Sequence, residues 1–253
     1  MRLKVIVREN YDEMSKACAQ IIASKVKEKP NAILGLATGS TPIGTYKELV
    51  KIHKEDKVDF SKITTFNLDE YVGLNKDNPN SYYYFMMENL FKWINIDLKN
   101  VNIPDGKALD LTKEIEEYES KLEKSGGVDV QLLGVGGNGH IAFNEPGEYL
   151  NTKTSVVELS EDTIKANSRF FNSLDEVPRK AISMGIGSIL KSKEIILLAS
   201  GKSKSKALFE FLTKDRVTTY LPVTFLHLHS NVTVICDKDA YSLVEEEYIC
   251  RKN

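Results

Sequence analysis

The chain has 253 residues, 42% of them apolar and 28% charged, enough for one large domain with a substantial core. A formal charge of -2 offers no excess basicity for nucleic acid or an anionic membrane, so an anionic ligand must be held by a local cluster of donors. Three cysteines, Cys18, Cys236 and Cys250, lie far apart without metal-binding spacing, and the apolar run in MRLKVIVREN is too short for a signal segment or a membrane span; a reduced, cytoplasmic protein is expected.

In chain order, residues 3–7 predict a strand, and residues 11–28 predict a helix with Met14, Ala17, Cys18, Ile21, Ile22 and Val26 on one stripe. A second strand, 32–36, runs into Thr38-Gly39-Ser40-Thr41-Pro42, where Pro42 is expected at the first position of a helix. Small residues there let backbone N–H groups approach a ligand, and the helix start adds partial positive charge. The same residues would equally serve as a tight strand-to-helix turn with a Ser or Thr cap. The Walker spacing is absent.

A third strand, 63–68, stops at Asp69-Glu70. On a strand these carboxylates point to opposite sides, so one can face a cleft as a base while the other orients a neighbour. A solvated acidic loop or a helix cap is the alternative. Helices are expected over 81–91 and 111–124; in Tyr82-Tyr83-Tyr84 the three rings cannot share one helix face.

The apolar strand 128–135 runs into Gly134-Val135-Gly136-Gly137-Asn138-Gly139-His140, followed by Glu145-Pro146-Gly147. The glycines allow close backbone approach, and a carboxylate near an imidazole fixes its tautomer and basicity. Gly134-x-Gly136-x-x-Gly139 resembles a dinucleotide fingerprint, but residues 140–146 do not read as the helix that fingerprint needs.

Residues 147–169 form the least regular stretch and the best candidate for a lid, with Arg169 near its end. Strands are expected over 181–184, 194–199 and 232–236, and helices over 203–212 and 240–248. Lys202, Lys204 and Lys206 oppose the dipole at a helix start, a cost more easily understood if an anion sits there. In Leu226-His227-Leu228-His229 the two histidines share a face if the segment is extended; a structural or pocket-lining place is favoured over metal binding. The alternation argues for one α/β domain spanning 1–253, with a Rossmann-like, open, mostly parallel sheet flanked by helices and a small lid. Ligands of such sheets sit at the carboxyl ends of the strands.

The segments LGLATGSTPIGTYKELV, FNLDEYVGL, NPNSYYYFM, LLGVGGNGHIAFNEPG, ANSRFF, SMGIGSIL, ASGKSKSKAL and FLHLH together resemble the glucosamine-6-phosphate deaminase family over nearly the whole chain. The resemblance implies conversion of glucosamine 6-phosphate and water to fructose 6-phosphate and ammonia in amino-sugar catabolism, without metal or organic cofactor. It further implies Asp69 as enolisation base, His140 with Glu145 as the ring-opening pair, and Arg169 and Lys204 as the phosphate grip. Thr38, Gly39, Ser40, Thr41 and Gly136 are expected around the substrate.

Asn138 departs from the many members that carry Asp there, which implies an orienting amide and a shifted acidic limb of the pH–rate profile. Residues 148–157 offer Lys153, but Ser155 and Val157 stand where allosteric members carry basic side chains. A non-allosteric enzyme is therefore expected, a monomer or homo-oligomer with the monomer favoured. The rivals are a 6-phosphogluconolactonase-like hydrolase, which needs no enolising base, and a non-catalytic sugar-phosphate-binding regulator.

Overall fold

A computed structural model describes residues 2–250. The chain runs β1 (Arg2–Arg8), α1 (Tyr11–Glu28), β2 (Ile33–Leu36), α2 (Ile43–Asp56), β3 (Thr64–Asn67), β4 (Asp69–Tyr71), α3 (Tyr82–Asn89), β5 (Val101–Asn102) and α4 (Leu111–Lys124). It continues with β6 (Val130–Gly134), β7 (Ser155–Glu158), α5 (Glu161–Asn167), β8 (Lys180–Ser183), α6 (Ile186–Leu190), β9 (Ile195–Ala199), α7 (Ser205–Thr213), β10 (Asn231–Asp237) and α8 (Lys238–Cys250).

Seven strands form one sheet in the order β1-β10-β9-β6-β2-β3-β5, every pair parallel. Alternation along each strand feeds two cores, because successive side chains point to opposite faces. Leu132, Ile196, Leu198 and Ile235 join α1 and α2 on one face. Leu133, Ile195, Leu197 and Val234 join α7 and α8 on the other. Helix α1 begins where Asn10 accepts a hydrogen bond from Glu13 N at 3.0 Å, and it buries Met14, Cys18, Ile22 and Val26 as the stripe predicts.

The expected strand at 181–184 is present as β8, but it leaves the parallel sheet. It pairs antiparallel with β4 and β7 in a separate three-stranded sheet. That small sheet fixes two parts of the site. It carries Asp69 on β4, opposite Ser183, and it holds the front of the expected lid, whose residues 155–158 are β7. Behind β7, Glu119 of α4 accepts hydrogen bonds from Thr154 N (3.0 Å), Thr154 Oγ1 (2.6 Å) and the Ser188 hydroxyl, fastening this segment to the main body.

Two further expectations are corrected. Pro42 caps α2 instead of opening it, with φ -80° and ψ -7°, and the helix begins at Ile43. Residues Pro222–Leu228 form a 3-10 helix, so His227 and His229 do not share an extended face. Pro222 presets the turn, and packing decides the rest: His227 lies against Phe211 (centroids 4.7 Å apart), and His229 Nε2 meets Ser192 O at 2.7 Å. No helix among the described residues is long and apolar enough to cross a membrane.

Candidate active site

The parallel sheet reverses its direction of winding between β2 and β6, where ligands of open α/β sheets bind. One cleft opens there. Its walls include Thr38, Gly39, Ser40 and Thr41 after β2, Asp69 on β4, Gly136 and His140 after β6, Arg169 after α5, and Lys204 before α7. The other two expected residues, Asn138 and Glu145, stand behind His140 and not in the wall.

The turn after β6 is tightened by Gly136 N donating to His140 O (2.9 Å) and Gly139 N donating to Gly136 O (3.0 Å). This folds the imidazole back over Gly136. A Cβ at Gly136 would lie 2.4 Å from the ring's Cε1 and 2.5 Å from both nitrogens. Glycine is therefore required by contact. Gly136→Ala is expected to displace the ring and lower kcat by ~100-fold, the cost of a misplacement near 1 Å, with little loss of fold; steady-state kinetics beside a thermal melt checks this.

His140 Nδ1 lies 3.4 Å from Glu145 Oε2, at ion-pair distance but without the angle of a directed hydrogen bond. Glu145 is held from two more sides: Asn138 Nδ2 donates to Oε2 at 2.9 Å, and the Thr163 hydroxyl of α5 donates to Oε1. Burial alone would raise the Glu145 pKa. His140, Thr163 and Asn138 outweigh it and hold the group down at about 2, so it stays anionic beside the imidazole. The Asn138 carbonyl also accepts from His140 N at 3.1 Å, so the amide orients both members of the pair. Ala142, in the wall beyond the imidazole, has φ 50°, a left-handed conformation uncommon outside glycine and often kept at functional sites.

Asp69 and Glu70 diverge as strand geometry requires. Glu70 turns to the start of α3 and accepts from Tyr71 N (2.8 Å), Tyr82 N (2.9 Å) and Tyr83 N (2.9 Å). Its burial outweighs these donors and lifts it to about 6. Asp69 faces the cleft and is 6% exposed. Burial, then the neighbouring Glu70 charge, push it up to about 7 against a single long contact from Thr38 Oγ1 at 3.4 Å. A carboxylate tuned near neutrality suits proton abstraction from carbon.

At the far side, Gly39 has φ +94° and bends the 38–41 loop over the start of α2, where Pro42 supplies no side-chain cap and the Tyr11 hydroxyl accepts from Gly44 N at 2.8 Å. Lys204 closes a 3-10 turn (Lys202–Lys204), and Asp237 accepts from Gly201 N at 3.0 and 3.1 Å to hold that turn in place. Burial first, and then the charge of Arg169, lower the Lys204 pKa. Two cations thus share the cleft with the 38–41 loop, a standing repulsion that an anion relieves. Lys202 and Lys206 do not line the cleft.

The sequence did not point to Thr163, Asn167 and Phe143, which also line the cleft; of the three tyrosines, only Tyr82 does. Burial drives Tyr82 well above the ordinary tyrosine value and Tyr71 up to about 12, so both hydroxyls stay neutral and able to donate. Among the described residues, no group of three or more His, Cys, Asp or Glu could hold a metal ion.

A near-neutral buried carboxylate, an imidazole with its acid, and a cationic cradle around one cleft are the equipment of a proton-transfer enzyme for a phosphorylated small molecule. The family of glucosamine-6-phosphate isomerases/6-phosphogluconolactonase matches residues 8–235, and the chain belongs to that family. A glucosamine-6-phosphate deaminase of Thermoanaerobacter sp. (strain X514) is 57% identical over 245 residues, covering 97% of this chain and 96% of the relative. A Clostridium botulinum (strain Kyoto / Type A2) protein of the same name is 55% identical over 240 residues, covering 95% and 98%. The structure of a monomeric glucosamine-6-phosphate deaminase superposes with a TM-score of 0.93 at 48% identity, covering 95% of this chain and 99% of that one. A 6-phosphogluconolactonase of Trypanosoma brucei shares the fold at a TM-score of 0.77 and 21% identity, covering 96% and 98%.

Proposed function

We propose that the cleft converts glucosamine 6-phosphate and water to fructose 6-phosphate and ammonia, as part of amino-sugar catabolism, with the lid expected at 147–169 closing over it. The observation that carries this is Asp69: a hydrolase of a lactone has no use for a buried carboxylate poised to take a proton from carbon. The relatives named deaminase, at 55–57% identity, support the same choice between the two activities of the family.

The substrate's phosphate docks between Arg169, Lys204 and the backbone of residues 39–41, which fixes the sugar for the steps that follow. His140, kept in place by anionic Glu145, moves a proton from the anomeric hydroxyl to the ring oxygen and opens the ring. Asp69 then removes the proton from the carbon bearing nitrogen, giving an enolamine. Reprotonation at the neighbouring carbon gives a ketimine, which water hydrolyses with release of ammonia. A coupled assay for ammonia and fructose 6-phosphate tests this; turnover of 6-phosphogluconolactone with no ammonia from the amino sugar would assign the cleft to the other activity.

Because Asp69 must be ionised to act and has a pKa of about 7, kcat/KM should rise with pH along an ascending limb near neutrality, well above an ordinary carboxylate. Asn138→Asp should separately displace the pH dependence that the His140–Glu145 pair sets, since it adds a second anion beside His140. The chain is proposed to act as a cytoplasmic monomer without sugar-phosphate activation, in keeping with Ser155 and Val157 in β7 and with the monomeric relative. A sigmoidal rate curve would contradict it.

A further inference from the structure

Helix α5 presents Thr163 and Asn167 to the cleft from one face, as residues four apart do. Each adjoins a different part of the site. Thr163 donates to Glu145 Oε1, and Glu145 in turn meets His140 and Asn138. Asn167 lines the same cleft as Tyr82, whose ring packs 4.7 Å from that of Tyr71, a residue of β4 two places from Asp69, and Thr38 Oγ1 donates to Asp69 at 3.4 Å. The two proton-transfer centres therefore share one support. Two residues beyond Asn167 stands Arg169, its guanidinium 4.7 Å from the Phe170 ring, and Phe171 packs edge-on against Tyr71 at 6.0 Å. Leu159 and Ile164 anchor the helix in a small core with Tyr71 and Phe143. A displacement of α5 is thereby carried to both centres at once.

We propose that Thr163 and Asn167 are positioning residues, and that α5 is a bracket through which the grip of Arg169 on the substrate's phosphate aligns the Glu145–His140 pair and the strand that carries Asp69. This rests on the deaminase function proposed above. Binding energy from the unreactive phosphate is converted into alignment at the reacting carbons, so it appears in kcat and not only in KM. The Thr163 hydroxyl is the more demanding link, because it is 4% exposed and donates directly to Glu145 Oε1.

The test uses the full chain and compares Thr163→Val, Thr163→Ser and Asn167→Ala, each first shown by a thermal melt to be folded. Thr163→Val and Asn167→Ala should lower kcat for glucosamine 6-phosphate by ~10–100-fold with KM changed by less than ~3-fold, while Thr163→Ser, which keeps the hydroxyl, stays within ~3-fold of the parent. The second arm uses unphosphorylated glucosamine with phosphite dianion as a detached anion: phosphite should accelerate ammonia release by the parent chain and fail to do so in Thr163→Val. Equal kcat in the Val and Ser variants, undiminished phosphite acceleration in Thr163→Val, or no acceleration in the parent would each overturn the bracket. A parent chain that releases no ammonia from glucosamine 6-phosphate would instead overturn the function beneath it.

Discussion

Asp69→Asn should abolish nearly all turnover and, at pH 8, make the protein more stable. The loss follows from removing the proposed general base, ~10²- to 10⁴-fold in kcat. The gain follows from the sign of the pKa shift. Folding raises Asp69 from 3.8 to about 7, so the folded chain holds this proton more tightly than the unfolded chain. The stability linked to it is fully present below pH 4 and is lost as pH rises through 7. A shift of that size corresponds to roughly 4 kcal/mol of ionisation cost in the parent at pH 8, an upper figure because Asp69 is coupled to Glu70. The amide carries no such cost. Urea unfolding of both proteins at pH 4.5 and pH 8 checks it: the advantage of the variant should be of the order of 2–4 kcal/mol at pH 8 and shrink toward zero at the lower pH. No difference at pH 8 would mean that Asp69 ionises there without penalty.

Arg169→Ala and Lys204→Ala should each lower kcat/KM by ~10–100-fold, the worth of one charge-assisted hydrogen bond. Inorganic phosphate, as a competitive inhibitor, should weaken in parallel. The two changes should not be additive. Arg169 lowers the Lys204 pKa, so removing Arg169 restores some of the lysine's affinity for its proton and for an anion. Arg169→Lys should recover only part of the loss, because a point charge replaces a planar fork. Inhibition by phosphate that is unchanged in all three would place the substrate's phosphate elsewhere in the cleft.

Much of the fold was legible in the chain because most of its elements announce themselves locally. The bounds of α1 and α4 follow from unbroken helical spacing. The strands β6, β9 and β10 follow from apolar runs buried on both faces. The antiparallel sheet was not legible: β4 and β7 have three and four residues, too few to show a period, and their partner β8 is fixed by tertiary contact. The 3-10 geometry at Pro222–Leu228 defeated a simple alternation for the same reason. At the site, Asp69, His140 and Lys204 were visible as chemistry placed at strand ends. Thr163 and Asn167 were not, because a threonine and an asparagine in a polar helix carry no signal until the fold brings them to the cleft, where Thr163 meets Glu145.

Asp69 is proposed to take the proton from the carbon that bears nitrogen. Glucosamine 6-phosphate deuterated at that carbon gives the direct test. The parent chain should show a primary isotope effect on kcat and lose label to solvent or pass it to the neighbouring carbon of fructose 6-phosphate, while Asp69→Asn, with its ring-opening pair intact, leaves the label in place. Label exchanged as fast by Asp69→Asn as by the parent would contradict the account.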